Sequence, residues 1–212
     1  MDRDLVEVNL CRLIKAPKPV AQRERVLSEA EIAALMKVSG STWGTMLQLM
    51  LLTGQRGGEV CKMRGEELDL QAKTWTIPSG TMKQGRSHVV PLSEAAVAIL
   101  RGQLEANGDA WGHYVFGVGS KGAKPFNGRS NGIEEVHRLT GTSGWSGHDC
   151  RRTAVTLMQK LGIAREVRVR VTGHAPPRDG AASYEHHGFE REAFAAVEKL
   201  AAEIERIKSS AA

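Results

Sequence analysis

Thr74-Trp75-Thr76-Ile77-Pro78-Ser79-Gly80, answered by His88-Val89-Val90-Pro91, breaks the pattern of the rest of the chain. On either side of it, hydrophobic residues recur at helical spacing. Here β-branched and aromatic residues take over, with Pro78, Gly80 and Gly85 between the two runs. That change of period predicts a small antiparallel sheet with Lys83 near its turn. Set among helical segments, it makes the chain mainly α with a small antiparallel β-sheet, an α+β fold.

Upstream of the sheet, Ser28-x-x-Glu31 ahead of Ile32, Leu35 and Met36 is a capping-box pattern and predicts a helix to about Val38. A nearly apolar helix follows from about Thr42 to Thr53 and is expected to stop at Gly54, a residue able to take the left-handed conformation that a helix end favours. Glu59 to Met63 reads as a short helical piece. Downstream, Ser93 caps a helix to about Glu105, Gly-rich irregular chain runs to about Phe126, and helices resume over about Ser130–Leu139 and His148–Leu161. Glu166–Val171 fits two patterns: Val167, Val169 and Val171 alternate with Arg168 and Arg170, while Ile163, Val167 and Val171 recur every four residues. The helix is preferred. A last helix from about Phe189 to Lys208 carries Phe194, Val197, Leu200, Ala201 and Ile204 on one stripe. Residues 1–27, with Pro17 and Pro19 and no sustained period, read as a linker, and residues 28–212 as one domain.

The composition is that of a globular chain: 212 residues, 41% hydrophobic, 25% charged. No apolar run approaches the roughly 20 residues of a membrane span, and no leader pattern opens the chain. Cys11, Cys61 and Cys150 are widely spaced and lack a C-x-x-C, which points to neither a disulfide framework nor a zinc site. A cytoplasmic protein is the expectation. The net charge of +5 is modest, but residues 151–170 alone carry +5, residues 1–27 carry +2 and residues 28–70 carry −2. Such a local surplus fits a phosphate backbone and fits a basic solvated face equally well.

Gly117-Val118-Gly119-Ser120-Lys121-Gly122 satisfies the dinucleotide pattern G-x-G-x-x-G. The pattern needs a helix opening at its third glycine, and Ala123-Lys124-Pro125-Phe126-Asn127-Gly128 does not resemble a first helical turn, so a Gly-rich surface loop is expected.

Five other stretches carry chemistry: Leu52-Thr53-Gly54-Gln55-Arg56-Gly57-Gly58-Glu59-Val60, Met82 to Leu92 around Lys83, His148-Asp149-Cys150-Arg151-Arg152-Thr153, Thr172-Gly173-His174, and Tyr184-Glu185-His186-His187. Their residue types suit phosphodiester transfer without a metal. Arginine forks such as Arg56 and Arg151 bind two nonbridging oxygens at once and stay charged at any working pH. Histidines donate to the same oxygens or relay a proton near neutrality. His148 and Arg151, three apart at a helix start, share one face near its positive end. Glu59, three after Arg56, is placed to hold that guanidinium.

In this order and spacing the five stretches resemble the catalytic domain of the tyrosine recombinases, the phage-type integrases, over roughly Val26 to Phe189. The resemblance implies the integrase catalytic-domain fold and the following roles. Tyr184 attacks the scissile phosphate to give a 3′-phosphotyrosyl link and a free 5′-hydroxyl. Lys83 protonates that leaving oxygen. Arg56, Arg151 and His174 stabilise the transition state, and His148 assists proton transfer at the tyrosine. Arg86 and Arg152 are assigned to DNA, with Arg152, about 100° round its helix from Arg151, also able to pair structurally. No cofactor and no metal are expected. The implied partner is double-stranded DNA at attachment sites, bound as a homotetramer by the full-length protein, while this chain alone is expected to be monomeric. By the same resemblance the last helix docks on a neighbouring protomer, and the chain begins in an interdomain linker, as a piece of a longer integrase of bacterial, phage or mobile-element origin. A type IB topoisomerase and a catalytically inactive DNA-binding module are the competing readings. His186 and His187 are unassigned, and Trp43, Trp75, Trp111 and Trp145 are read as core or hinge residues.

Overall fold

The computed structural model describes residues 24–80, 86–107, 113–119, 122–173 and 190–211. Helix α1 (Glu29–Met36) opens on Ser28. The Ser28 hydroxyl accepts from the Glu31 amide, and the Glu31 carboxylate accepts from the Ser28 amide, so the predicted capping box is present. Helix α2 (Thr42–Thr53) is buried without interruption from Met46 to Thr53. A helix apolar on every side has no solvent face, and α2 accordingly forms the axis of the core. Around it pack α1, α3 (Gly57–Val60), α4 (Glu94–Ala106), α5 (Arg129–Thr140), α6 (Gly147–Lys160) and α8 (Glu190–Ser210). Each fully buried Leu or Met along α2 contributes about 1.5–3 kcal/mol by burial. Gly54 ends the helix at φ +67°, and its amide donates back to Met50 O.

The sheet has three strands in the order β1 (Leu68–Asp69), β2 (Thr74–Ile77), β3 (His88–Pro91), all antiparallel. Trp75 lies opposite Val90 and Ile77 opposite His88. These four side chains face inward, and Thr76 and Val89 face solvent, in the antiparallel sheet the sequence predicted. The first strand, two residues long, was not anticipated. Trp75 ties the sheet to the preceding 3-10 turn by donating Nε1–H to Glu67 Oε2 at 3.0 Å.

Residues 165–172 form helix α7 (Arg165–Thr172), which packs on α6, α8 and β3. The four-residue recurrence thus prevails over the alternation, because Val167 and Val171 are buried while Arg168 and Arg170 are not. In the Gly-rich stretch, Val118 and Lys124 exchange backbone hydrogen bonds at 2.8 and 3.2 Å. The next α-helix begins only at Arg129, so the G-x-G-x-x-G sequence has no helix dipole at its third glycine.

Helix α8 buries Ala193, Ala196, Val197, Leu200, Ala201, Ile204 and Ile207 against α1, α2, α6, α7 and β3. Val197, Leu200, Ala201 and Ile204 lie on this stripe as predicted, while Phe194 is only half-buried and Ala193 takes its place on the buried face. This apolar face is thereby covered by the chain itself. Trp43, Trp75 and Trp145 are core residues, whereas Trp111 lies outside the described residues. Cys61 and Cys150 are buried and form no disulfide among the described residues. Among the described residues no helix is long and apolar enough to cross a membrane.

The chain entering the domain is stitched to α6. Leu27 is buried and donates its amide to Thr153 Oγ1 at 2.8 Å, and Arg152 donates Nη1–H to Arg25 O at 3.4 Å.

Candidate phosphate-binding site

Four helix ends build the site. Arg56 stands at the start of α3, immediately after α2 has been closed by Gly54 and Gln55. The Glu59 carboxylate, 8% exposed, holds both ends of that arginine. It accepts from the Arg56 amide at 2.9 Å and from Arg56 Nη1 at 3.0 Å. The guanidinium itself stays 37% exposed and so keeps donors for a ligand.

Helix α6 supplies the second arm. Asp149, buried, accepts from the amide and hydroxyl of Ser146 at 2.9 and 3.0 Å and fixes the first turn. His148 is exposed at that turn, and Arg151 follows one turn later on the same face. Arg152 points elsewhere: its Nη1 pairs with Asp149 Oδ1 at 2.9 Å as well as reaching Arg25 O. Of the two readings given to Arg152, this geometry supplies the structural one. Arg86 is exposed just ahead of β3.

Arg151 is 4% exposed, an unusual place for a permanent charge. It is compensated by two helix C-terminal ends. Nη1 donates to Gly54 O of α2 at 2.6 Å, and Nη2 donates to Thr172 O of α7 at 3.0 Å. Carbonyls there carry the negative end of the helix dipole. Burial, and then the neighbouring charge of Arg56, push the Arg151 pKa down to about 10, with Glu59 acting the other way. The group is still fully cationic at neutral pH. Two like charges held together in a partly desolvated place favour the arrival of an anion.

Arg56, His148 and Arg151 line one cleft of about 420 Å³ together with Trp43, Met50, Gly57, Gly58, Ile133, Ser146 and Gly147. Its floor is the indole of Trp43, stacked on Phe126 at 5.8 Å between ring centres. Two glycines, Gly132 and Gly147, allow the indole this place, and Gly57 lies within ordinary contact distance of it. A Cβ would lie 3.5 Å from the indole at Gly57, 2.7 Å from Trp43 Cβ at Gly132 and 3.2 Å from the indole at Gly147. Gly57 and Gly147 are the first residues of α3 and α6, so the ring spaces the two helix starts that carry Arg56 and His148.

Two buried polar residues that the sequence reading passed over stand behind this cleft. Gln55 donates Nε2–H to Thr53 O at 3.1 Å and to Val171 O at 2.7 Å. His88, 8% exposed, has Nε2 at 3.2 Å from the same Val171 O. Because a carbonyl only accepts, this nitrogen must carry the hydrogen. Burial pushes the His88 pKa down; Arg170 and Arg151 do the same, against the Val171 bond and Glu59. The sequence did hold a signal for His88: it shares the inward face of β3 with Val90. Of the remaining predicted site residues, Lys83, His174 and Tyr184 lie outside the described residues, as do His186 and His187.

Comparisons with known proteins converge. The family model described as phage integrase family matches residues 25–191. Prophage integrase IntA of Escherichia coli (strain K12) is 30% identical over 135 residues, covering 63% of this chain and 32% of that protein. Prophage integrase IntZ of the same organism is 32% identical over 151 residues, covering 70% of this chain and 37% of that protein. The chain thus spans about a third of the length of these relatives. Among solved structures, the integrase from mycobacterium phage Brujita superposes with a TM-score of 0.66 at 20% identity, over 88% of this chain and 61% of that one. The lambda integrase catalytic core gives 0.54 at 18% identity, over 72% of this chain and 96% of its own. The family match runs through Arg56, Glu59, Arg86, His88, His148, Arg151 and Arg152, and the chain belongs to the phage integrase family.

Proposed function

We propose that this chain is the catalytic domain of a site-specific tyrosine recombinase, which cuts and rejoins double-stranded DNA through a 3′-phosphotyrosyl intermediate. The observation that carries the proposal is the pair Arg56 and Arg151 on one cleft at the start of α6, one guanidinium held by Glu59 and the other by two helix ends. Such a pair is a charge clamp built in advance for the two nonbridging oxygens of a pentacoordinate phosphorus. His148, exposed on the same cleft, is available to exchange a proton.

On this reading the Tyr184 hydroxyl oxygen attacks the scissile phosphorus and passes its proton to His148. The bond from phosphorus to the 5′ oxygen breaks, and Lys83 protonates that oxygen as it leaves. His174 donates to the phosphate beside the two arginines. The 5′-hydroxyl of a second strand then attacks the phosphotyrosine and releases the tyrosine, so the ester keeps the bond energy and no nucleotide is consumed. The natural full-length protein acts as a homotetramer on paired attachment sites, in the cytoplasm of a cell carrying a phage or mobile element. Arg86, exposed ahead of β3, contacts the DNA backbone.

The test uses the natural full-length protein and nicked suicide duplexes taken from the junctions of the element that encodes it. A covalent protein–DNA band on a denaturing gel, absent in Tyr184→Phe, is the expected result. Protein that binds the duplex and yields no band overturns the recombinase reading in favour of a binding module. Relaxation of a supercoiled plasmid without exchange between two sites favours the topoisomerase reading.

A further inference from the structure

An α-helix leaves its last carbonyls without partners inside the helix, and those of α7 are all answered. Thr172 Oγ1 donates to Arg168 O at 2.8 Å, and the Gly173 amide donates to Val169 O and Arg170 O. Val171 O receives two side chains, Gln55 Nε2 and His88 Nε2, and Thr172 O receives Arg151. Four elements therefore meet at one helix end: the exit of α2 through Gln55, β3 through His88, α6 through Arg151, and α7 itself. The site described above and this helix end are mechanically one object, because Arg151 is a member of both.

His88 fits the end of α7 by shape as well as by its hydrogen bond. Gly173 leaves the helix at φ +62°, and a Cβ built there would lie 2.8 Å from His88 Cδ2 and 3.0 Å from His88 Nε2. The imidazole thus lies against the bare backbone of the turn, and His174 is the next residue in the sequence. A leucine of similar size in its place would fill the space but leave the turn without this donor. We propose that His88 is a positioning residue for the phosphate site: through its Nε2–H bond to Val171 O it holds the last turn of α7 where Thr172 O fixes Arg151. The proposal rests on the recombinase reading for its functional consequence, and on the described geometry alone for its structural one.

Two measurements separate these layers. The first reads the 212-residue chain without DNA, by NMR of ring-15N histidine and guanidinium-15N arginine. His88 is expected as the neutral Nε2–H tautomer, and Arg151 Nη protons are expected to exchange slowly. His88→Leu should sharpen the contrast by speeding exchange at Arg151 about tenfold or more, while His88→Gln, whose amide nitrogen reaches as far, restores it. The second reads single-turnover formation of the covalent adduct by the natural full-length protein. His88→Leu is expected to slow it about 10–100-fold, the scale of a small misplacement of a reacting group. DNA affinity should stay within about twofold, and His88→Gln should recover most of the rate.

An Nδ1–H tautomer in the unmodified protein overturns the proposal, even if His88→Leu fails to fold. Unchanged Arg151 exchange in a folded His88→Leu overturns it as well, as does an adduct rate that falls equally in the Leu and Gln variants. Absence of any adduct from the unmodified protein refutes the recombinase reading instead, and leaves the NMR result to decide the placement of Arg151.

Discussion

Gly132 and Gly102 both sit inside helices, yet replacing each with alanine should shift stability in opposite directions. Intrinsic propensity favours alanine over glycine in a helix interior by about 1 kcal/mol. At Gly102 in α4 an added Cβ meets nothing within 4 Å, so the whole gain is realised. At Gly132 in α5 the same Cβ would lie 2.7 Å from Trp43 Cβ, 2.8 Å from Cγ and 3.0 Å from Cδ1. Those atoms are the root of the indole, anchored on α2, and the ring is stacked on Phe126 and closely approached at Gly147, so it cannot swing away cheaply. Overpacking of this kind costs about 1–3 kcal/mol, and contact with three root atoms puts it toward the upper end. The net for Gly132→Ala is a loss of about 1–2 kcal/mol. In a chain of this length 1 kcal/mol moves Tm by about 2–4 °C. Gly102→Ala is therefore expected to raise Tm by about 2–4 °C, and Gly132→Ala to lower it by about 2–8 °C. Scanning calorimetry, with tryptophan fluorescence as a local probe of the ring stacked on Phe126, makes the comparison. If Gly132→Ala raises Tm as Gly102→Ala does, Trp43 is not wedged as described, and its role in spacing α3 from α6 falls with it.

Glu59→Gln should weaken the grip on Arg56 by about 1.5–3 kcal/mol, the worth of hydrogen bonds to a charged group. If that is felt in the transition state, suicide-substrate cleavage slows about 10–100-fold with DNA affinity little changed; a rate within twofold of the parent would show that Arg56 holds its place unaided. Arg151→Lys replaces the planar fork that bonds Gly54 O and Thr172 O by a point charge with fewer donors left for a phosphate, so an adduct rate about 10²–10³-fold lower is expected, as for loss of one preorganised donor. An undiminished rate would remove Arg151 from the charge clamp. Stability should also depend on pH through His88. Its pKa is lowered on folding, chiefly by burial, with Arg151 and Arg170 reinforcing and Glu59 opposing. The unfolded chain then binds more protons as pH drops below about 6.5, so stability is lost going down from there toward the folded value and is level above it. Tm curves of the parent and His88→Gln are expected to converge on acidification; parallel curves would mean His88 titrates alike in both states.

Much of the fold was legible because the long elements obey simple periods. Thr42–Thr53 is apolar throughout and ends on Gly54, and Trp75, Ile77 and Val90 alternate with exposed neighbours. Strand β1 was not legible, since two residues, Leu68 and Asp69, hold no period. Within the site, Arg56, His148 and Arg151 could be read through the resemblance of five ordered stretches to the tyrosine recombinases, with which their charge and the three-residue spacing of His148 and Arg151 agree. Glu59 followed from helical geometry, three residues on. Gln55 and His88 could not be read the same way. They bond a carbonyl 116 and 83 residues away, and nothing local in Gln55-Arg56 or His88-Val89 says which helix end they will meet. The compensation of buried Arg151 by Gly54 O and Thr172 O was hidden for the same reason, because backbone carbonyls carry no sequence signature.

The stitching of residues 25–27 onto α6 makes the incoming chain a rudder for the helix that holds His148 and Arg151. Leu27 bonds Thr153, and Arg25 bonds Arg152, which shares Asp149 with the cap of the first turn. Torque applied to the segment at Arg25 is therefore delivered to α6 within one or two turns of Arg151. Anyone grafting this domain onto a different DNA-targeting module should carry the graft point upstream of Arg25. A fusion joined at Ser28 leaves Thr153 and Arg152 without those partners, and steers the helix by whatever sequence happens to replace them.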